Sequence, residues 1–286
     1  MTSATEIDSD LVSEILKTIT IPPCPAVLST LMDESRRDNA NFPKIIRLIS
    51  GDLGLAASTM KTANSPFFGL RQKVQSVQMA ATVLGLKNII NIITGISLKQ
   101  SLSPKGINME RFWDRSSYHA IVSARMASRV SGISPEDAYT FGLFHDCGIP
   151  ILMQRFPNYK DTLALANHST RPFRDIENEH HNTDHTAVGA MLAKNWQLPQ
   201  LIVDAIRTHH DLAEKGQDLR NELRDMGAIS LIADFIISNF LGLPEESEWR
   251  ENGQDAMDQL GIDNEDMEDL QQDMHDELAN ARADRV

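Results

Sequence analysis

Cysteine is nearly absent. Cys24 and Cys147 alone cannot build a disulfide framework, and they offer no paired spacing for a thiolate zinc site. Positive charge is also short, with 27 Lys and Arg against 40 Asp and Glu. No basic stripe is left to neutralise a phosphate backbone, which speaks against direct nucleic-acid binding. No uninterrupted apolar run approaches the roughly 20 residues that span a bilayer. The N-terminus, Met1-Thr2-Ser3-Ala4-Thr5-Glu6, lacks the charged and apolar parts of a signal peptide. A cytoplasmic chain without membrane contact is therefore expected. Sustained alternation of β-branched residues is missing as well, and the apolar period stays near 3.6, so helix is expected to dominate.

What is present is unevenly placed. From Glu245 to the C-terminus there are 15 acidic and 3 basic residues, whereas residues 1–244 hold 25 and 24 and are close to neutral. In the acidic tail, Met267, Leu270, Met274 and Leu278 form one helical stripe behind Asp263, a plausible cap. The bland reading is a helix packed back on the domain with its carboxylates in water; the functional one is a docking helix for a basic partner. Removing residues 245–286 is expected to leave a folded body, because the last strongly apolar helix ends by Leu243.

Histidines are the second asymmetry. Eight of nine, His119, His145, His168, His180, His181, His185, His209 and His210, lie between residues 119 and 210. His145-Asp146 ends an apolar run, where unpaired polar groups would be costly and need partners. His209 completes the stripe Leu198, Leu201, Ile202, Ala205, Ile206, so it faces the core, and His210, about 100° round, is the more exposed. His185 shares a face with Val188 and Leu192, and Arg115 and His119 share one with Phe112, Val122 and Met126. Asp234 is the sole charge between Ala228 and Leu243, a position that calls for a counter-charge. His168, His180, His181 and His275 read as surface residues. Cys147 reads as a small core residue, with a nucleophilic role the sharper alternative.

Several segments, in order, resemble the motifs of the HDOD family, HD-related output domains of bacterial signalling proteins. They are Ile21-Pro22-Pro23-Cys24-Pro25-Ala26-Val27, Asp52-Leu53-Gly54-Leu55, Ala63-Asn64-Ser65-Pro66-Phe67-Phe68-Gly69 and Ala80-Ala81-Thr82-Val83-Leu84-Gly85-Leu86, followed by Phe112-Trp113-Asp114-Arg115-Ser116, His145-Asp146, Thr183-Asp184-His185 and Trp196-Gln197-Leu198-Pro199. The resemblance covers about residues 15–243. It implies an all-α fold, with an N-terminal helical bundle (1–106) packed on a degenerate HD-type helical subdomain (107–243), and 244–286 follows as an acidic helical tail.

An active HD hydrolase, as the superfamily is known, holds a divalent metal with a first-helix histidine, the His-Asp pair and a late aspartate. His145, Asp146 and Asp234 match three of those positions, and Arg115 stands where the histidine would be. A guanidinium has no lone pair to offer. The expectation is a relic site of Arg115, His119, His145, Asp146, His185, His209 and Asp234, with no catalytic residue and no cofactor. If a metal did bind, His145, Asp146 and Asp234 would hold it. Arg115 is expected to replace the ion, close to Asp234 and Asp146. Function is then expected to be non-enzymatic signal transduction through another signalling or regulatory protein. The alternative is a metal-dependent phosphohydrolase acting on a nucleotide or cyclic dinucleotide. A partner surface is expected at Phe67, Phe68, Arg71 and Lys73, where aromatics adjoin cations, against the plain reading that both rings plug the core.

Overall fold

The computed structural model describes residues 17–37, 39–65, 68–103, 106–167, 169–212 and 220–283. Fourteen α-helices and no strand are found among the described residues. The first four are α1 (Ala26–Ser35), α2 (Phe42–Ser50), α3 (Leu53–Ala63) and α4 (Val77–Ser101). Asn41, Asp52 and Ser76 each accept a backbone N–H of the following turn, at 3.0, 2.9 and 3.1 Å. Pro43 sits in the first turn of α2, where a missing N–H is no loss. The helical spacing of Ile7, Leu11, Ile15, Leu16 and Ile19 predicts a further helix over residues 7–20, which lies outside the described residues except at its end.

Helix α4 is long and apolar enough to cross a membrane by length and composition alone, the one such helix among the described residues. Gly85 breaks it with φ 79° and ψ 167°, a conformation that suits glycine and ends a helical run. The two pieces therefore meet at a corner, as the Gly85-Leu86-Lys87-Asn88 sequence suggests. The longer piece, 86–101, reaches about 24 Å at the helical rise, short of the ~30 Å of hydrocarbon.

The second group is α5 (Glu110–Ala127), α6 (Pro135–Phe144), α7 (Gly148–Arg155), α8 (Tyr159–Asn167), α9 (Phe173–His181), α10 (His185–Asn195), α11 (Gln200–Thr208) and α12 (Asn221–Leu241). Helix α5 is buried almost all round, from Trp113 to Ala127, and its tightest neighbour is α6. A Cβ on Gly142 would lie 2.7 Å from the Ala120 backbone, so only glycine lets these two axes come so close. That approach brings the end of α6, and hence His145, against His119 on α5.

Two tail helices follow, α13 (Ser247–Leu260) and α14 (Asn264–Ala283). Asp263 caps α14, accepting the Asp266 N–H at 2.9 Å. All four stripe residues, Met267, Leu270, Met274 and Leu278, are buried, with α14 against α5 and α12. On α13, Trp249 stacks on Phe235 of α12 with centroids 3.9 Å apart. This packing changes what truncation should do. Each buried Leu or Met side chain is worth about 1.5–3 kcal/mol, so a chain ending at Leu243 is expected to melt well below the full chain and bind hydrophobic dye. An unchanged melting temperature would show that the body stands alone.

Candidate functional site

The His-Asp pair occupies the corner between α6 and α7. Its position is set by Gly148, whose missing Cβ would otherwise lie 2.0 Å from the His185 carbonyl oxygen. The start of α10 thus rests directly on the start of α7, and His185 faces Asp146. His145 donates from Nδ1 to the Gly142 carbonyl at 2.8 Å, which turns Nε2 inward. There Nε2 lies 3.1 Å from Asp146 Oδ2, close enough for charge attraction but not aligned as a hydrogen bond. Burial opposes charge on this ring, and Asp146 outweighs it, so His145 titrates above the ordinary imidazole value. Burial likewise opposes the charged form of Asp146, yet the rings of His145, His185 and His209 hold its carboxyl well below the usual range.

Three more imidazoles point the same way, each oriented from behind. His185 donates from Nδ1 to Glu177 Oε2 at 2.6 Å. Glu177 is fully buried and also accepts from the Tyr159 hydroxyl and from the His185 backbone N–H. His209 donates from Nδ1 to the Ile206 carbonyl at 2.9 Å, and His210 from Nδ1 to Glu248 Oε2 at 2.8 Å. With every Nδ1 committed, the Nε2 atoms converge. Those of His185 and His210 are 3.2 Å apart, and Asp146 Oδ1 lies 3.5 Å from His185 Nε2 and 3.9 Å from His209 Nε2. The Nε2 of His209 is buried without a hydrogen-bond partner. Burial and the neighbouring rings push His209 well below the ordinary value. Against the burial penalty, Glu177 raises His185 to about 9.

On the other side of Asp146, His119, His145 and Asp234 form a second donor group. His119 stacks on His145 with centroids 3.8 Å apart, and its Nε2 is 3.9 Å from Asp234 Oδ2. Its two nitrogens are met by Ser123 at 3.1 Å and Ser230 at 3.2 Å. Burial drives its pKa well below normal, so the ring is neutral. Arg115 lies one turn earlier on α5. Its Nη2 donates to Asp234 Oδ1 at 2.8 Å and to Glu246 Oε1 at 2.7 Å, and Nη1 donates to Ser238 Oγ at 3.3 Å. Burial and Glu246 raise the Asp234 carboxyl to about 6 despite the guanidinium's opposing pull.

These positions answer the expectations drawn from the sequence residue by residue. Arg115 meets Asp234 as expected, but its second carboxylate is Glu246 of the tail rather than Asp146. His119, one turn after Arg115 on the same face of α5, also reaches the pair, stacked on His145 and 3.9 Å from Asp234, so both residues of that face meet the site. His181, read as a surface residue, is buried and shares a hydrogen bond with Thr162 at 2.8 Å. His180 and His275 are exposed, and His168 lies outside the described residues. Cys147 is buried and its thiol is pushed well up by burial, which leaves it no thiolate for nucleophilic work. Phe68 is half-buried against the core, 6.5 Å from Tyr139 between centroids. Arg71 and Lys73 are exposed, and Phe67 lies outside the described residues. The sequence reading omitted Glu177, His210, Glu246 and Glu248 from the site. The adjacent His209-His210 pair was a usable signal, whereas the two tail glutamates carry no local mark among so many carboxylates.

A divalent ion fits the two donor groups unequally. In the His119, His145 and Asp234 group, the serines already engage both His119 nitrogens and the guanidinium holds one Asp234 oxygen, so the group does not fit an ion while Arg115 is there. The other group does fit. His185, His209 and His210 aim Nε2 at one place from rings fixed at Nδ1, with Asp146 as the anionic neighbour, and an ion entering there would displace the proton that His185 and His210 share between their Nε2 atoms. The set expected from the sequence, His145, Asp146 and Asp234, shares only Asp146 with the neighbourhood of this second group.

Known proteins share this helical fold. An uncharacterized protein of Treponema pallidum (strain Nichols) is 24% identical over 205 residues, which is 70% of this chain and 39% of that protein. The chain thus spans about two fifths of the length of that relative. A crystal structure of an HDOD domain protein with unknown function from Geobacter sulfurreducens superposes with a TM-score of 0.75 at 21% identity, covering 96% of this chain and 95% of the other. A candidate phosphohydrolase from Shewanella amazonensis SB2B gives a TM-score of 0.75 at 19% identity, covering 98% and 100%. At such identities the likeness is one of fold. The HDOD domain model matches residues 21–212, from the turn before α1 to the loop after His209 and His210, and by that match the chain belongs to the HDOD family.

Proposed function

We propose that this chain is a cytoplasmic regulatory module of bacterial signal transduction that works through another protein and keeps a single divalent-metal position in its HD-type pocket. One observation carries the reading: Arg115 bridges Asp234 and Glu246 at 2.8 and 2.7 Å, placing a fixed cation beside one of the two donor groups. A guanidinium can neutralise carboxylates there, but it cannot bind and acidify a water. Asp146, His185, His209 and His210 would hold the ion in the remaining group. An ion there would lower the pKa of a bound water and polarise a phosphoryl oxygen. Glu177, Ile206 and Glu248 keep the three imidazoles in the tautomer that offers Nε2.

The convergence of His185, His209 and His210 beside Asp146 also suits a second reading, a metal-dependent phosphohydrolase. Metal analysis of the purified protein, followed by a phosphodiesterase assay with added Mn²⁺, separates the two. The expected result is bound metal that is lost in Asp146→Ala, without turnover in either protein. Turnover abolished by Asp146→Ala would establish the second reading, and a metal-free protein that takes up none would overturn both.

A further inference from the structure

His185 and His209 take their Nδ1 acceptors, Glu177 and the Ile206 carbonyl, from within the matched HDOD segment. His210 does not. Its acceptor, Glu248, stands in the first turn of α13, beyond that segment, and the same first turn is tied to the pocket a second time through Glu246 on Arg115. Residues 242–246, which lead into α13, are all exposed; the start of the helix is drawn onto the pocket by these two contacts, by the Ser238 hydroxyl donating to Glu246 Oε1 at 3.0 Å and by the Trp249–Phe235 stack, with the rest of α13 packed along α12. Side chains of Asp146, Asp234 and His210 are about one-fifth exposed or less, and they share this mouth with Arg115.

We propose that Glu248 is a positioning residue for the metal site and that, through it, ion loading and docking of the C-terminal helices α13 and α14 are thermodynamically coupled. The proposal rests on the metal reading above. An ion on His210 Nε2 makes the Nδ1–H a stronger donor and so tightens its hydrogen bond to Glu248. Conversely, a docked Glu248 fixes the ring orientation and raises its basicity as a ligand. Coupling of this kind is reciprocal, so whatever α13 does for ion affinity the ion does for α13. The acidic tail then becomes part of a clasp whose closure reports the state of the histidine pocket to a partner.

The test uses the full chain and Co²⁺, whose visible absorption reports its donor set. Glu248→Ala is expected to weaken Co²⁺ binding by roughly 10- to 100-fold, the usual effect of losing an outer hydrogen-bond partner. Glu248→Gln, which keeps an acceptor oxygen, is expected to recover part of that loss. Tryptic cleavage after Arg250 in α13 should slow when Co²⁺ is added to the wild type and should be indifferent to it in Glu248→Ala. Equal Co²⁺ affinity in all three proteins, or cleavage that Co²⁺ does not slow in the wild type, would overturn the coupling while leaving the metal site standing. A wild type that binds no Co²⁺ would overturn the metal reading itself.

Discussion

Arg115→Ala is expected to destabilise the protein by about 2–3 kcal/mol, below the value for a fully buried pair because the cluster is partly open and Glu246 is exposed. The guanidinium is the cation that Asp234 and Glu246 share, and Ser238 also loses a donor. For a chain of this size that corresponds to a fall in melting temperature of roughly 5 °C. The loss should depend on pH in a definite direction. Asp234 already has its folded-state value raised to about 6, and without the cation it should rise further. A carboxyl that holds its proton more tightly when folded favours the native state at low pH and ceases to do so as pH rises through the folded value. The gap between wild type and variant should therefore be widest near pH 8 and narrow towards pH 5. Adding Asp234→Asn to the variant should recover part of the stability at pH 8. A variant that melts with the wild type at both pH values would mean that solvent screens the cluster and that Arg115 is dispensable.

Gly148→Ala should be as damaging, for a steric rather than an electrostatic reason. The new Cβ would lie 2.0 Å from the His185 carbonyl oxygen and 2.7 Å from its carbonyl carbon, both backbone atoms at the start of α10. No rotamer change relieves such a contact, so α7 and α10 must move apart. Forced overpacking of this kind costs about 1–3 kcal/mol and occasionally more. The same displacement would separate Asp146 from His185, now 3.5 Å apart, and should weaken metal uptake even where the protein stays folded. Thermal melting and Co²⁺ titration of the variant check the two effects separately. Wild-type values in both would show that this corner has slack the structure does not suggest.

Much of the helical scaffold was legible because its signals are local. Asp263 caps the tail helix as its position suggested, Asn41, Asp52 and Ser76 hold the starts of α2, α3 and α4 by the same local bond, and Gly85 breaks α4 at the Gly-Leu-Lys-Asn sequence. Such features depend on a few neighbouring residues and on the 3.6-residue period, which are properties of the chain itself. The inward direction of His185 and His209 was readable for the same reason.

Which polar groups meet was not readable, because it depends on how helices tilt and how closely they approach. His119 and Arg115 lie one turn apart on one face of α5, and periodicity gives them equal claims on the pocket. The close α5–α6 contact at Gly142 decides between them, setting His119 against His145 and leaving the longer arginine to reach Asp234 and Glu246. The acidic tail teaches the same lesson. By itself the sequence determined an all-α chain with a histidine-rich segment, an out-of-place aspartate and a tail helix with one apolar stripe. Only the tertiary structure decided that Glu246 and Glu248 close the pocket from 131 and 38 residues away, through contacts with Arg115 and His210. Charge pairing over such separations leaves no periodic trace, since it is fixed by the packing of α13 on α12 and not by either residue's neighbours.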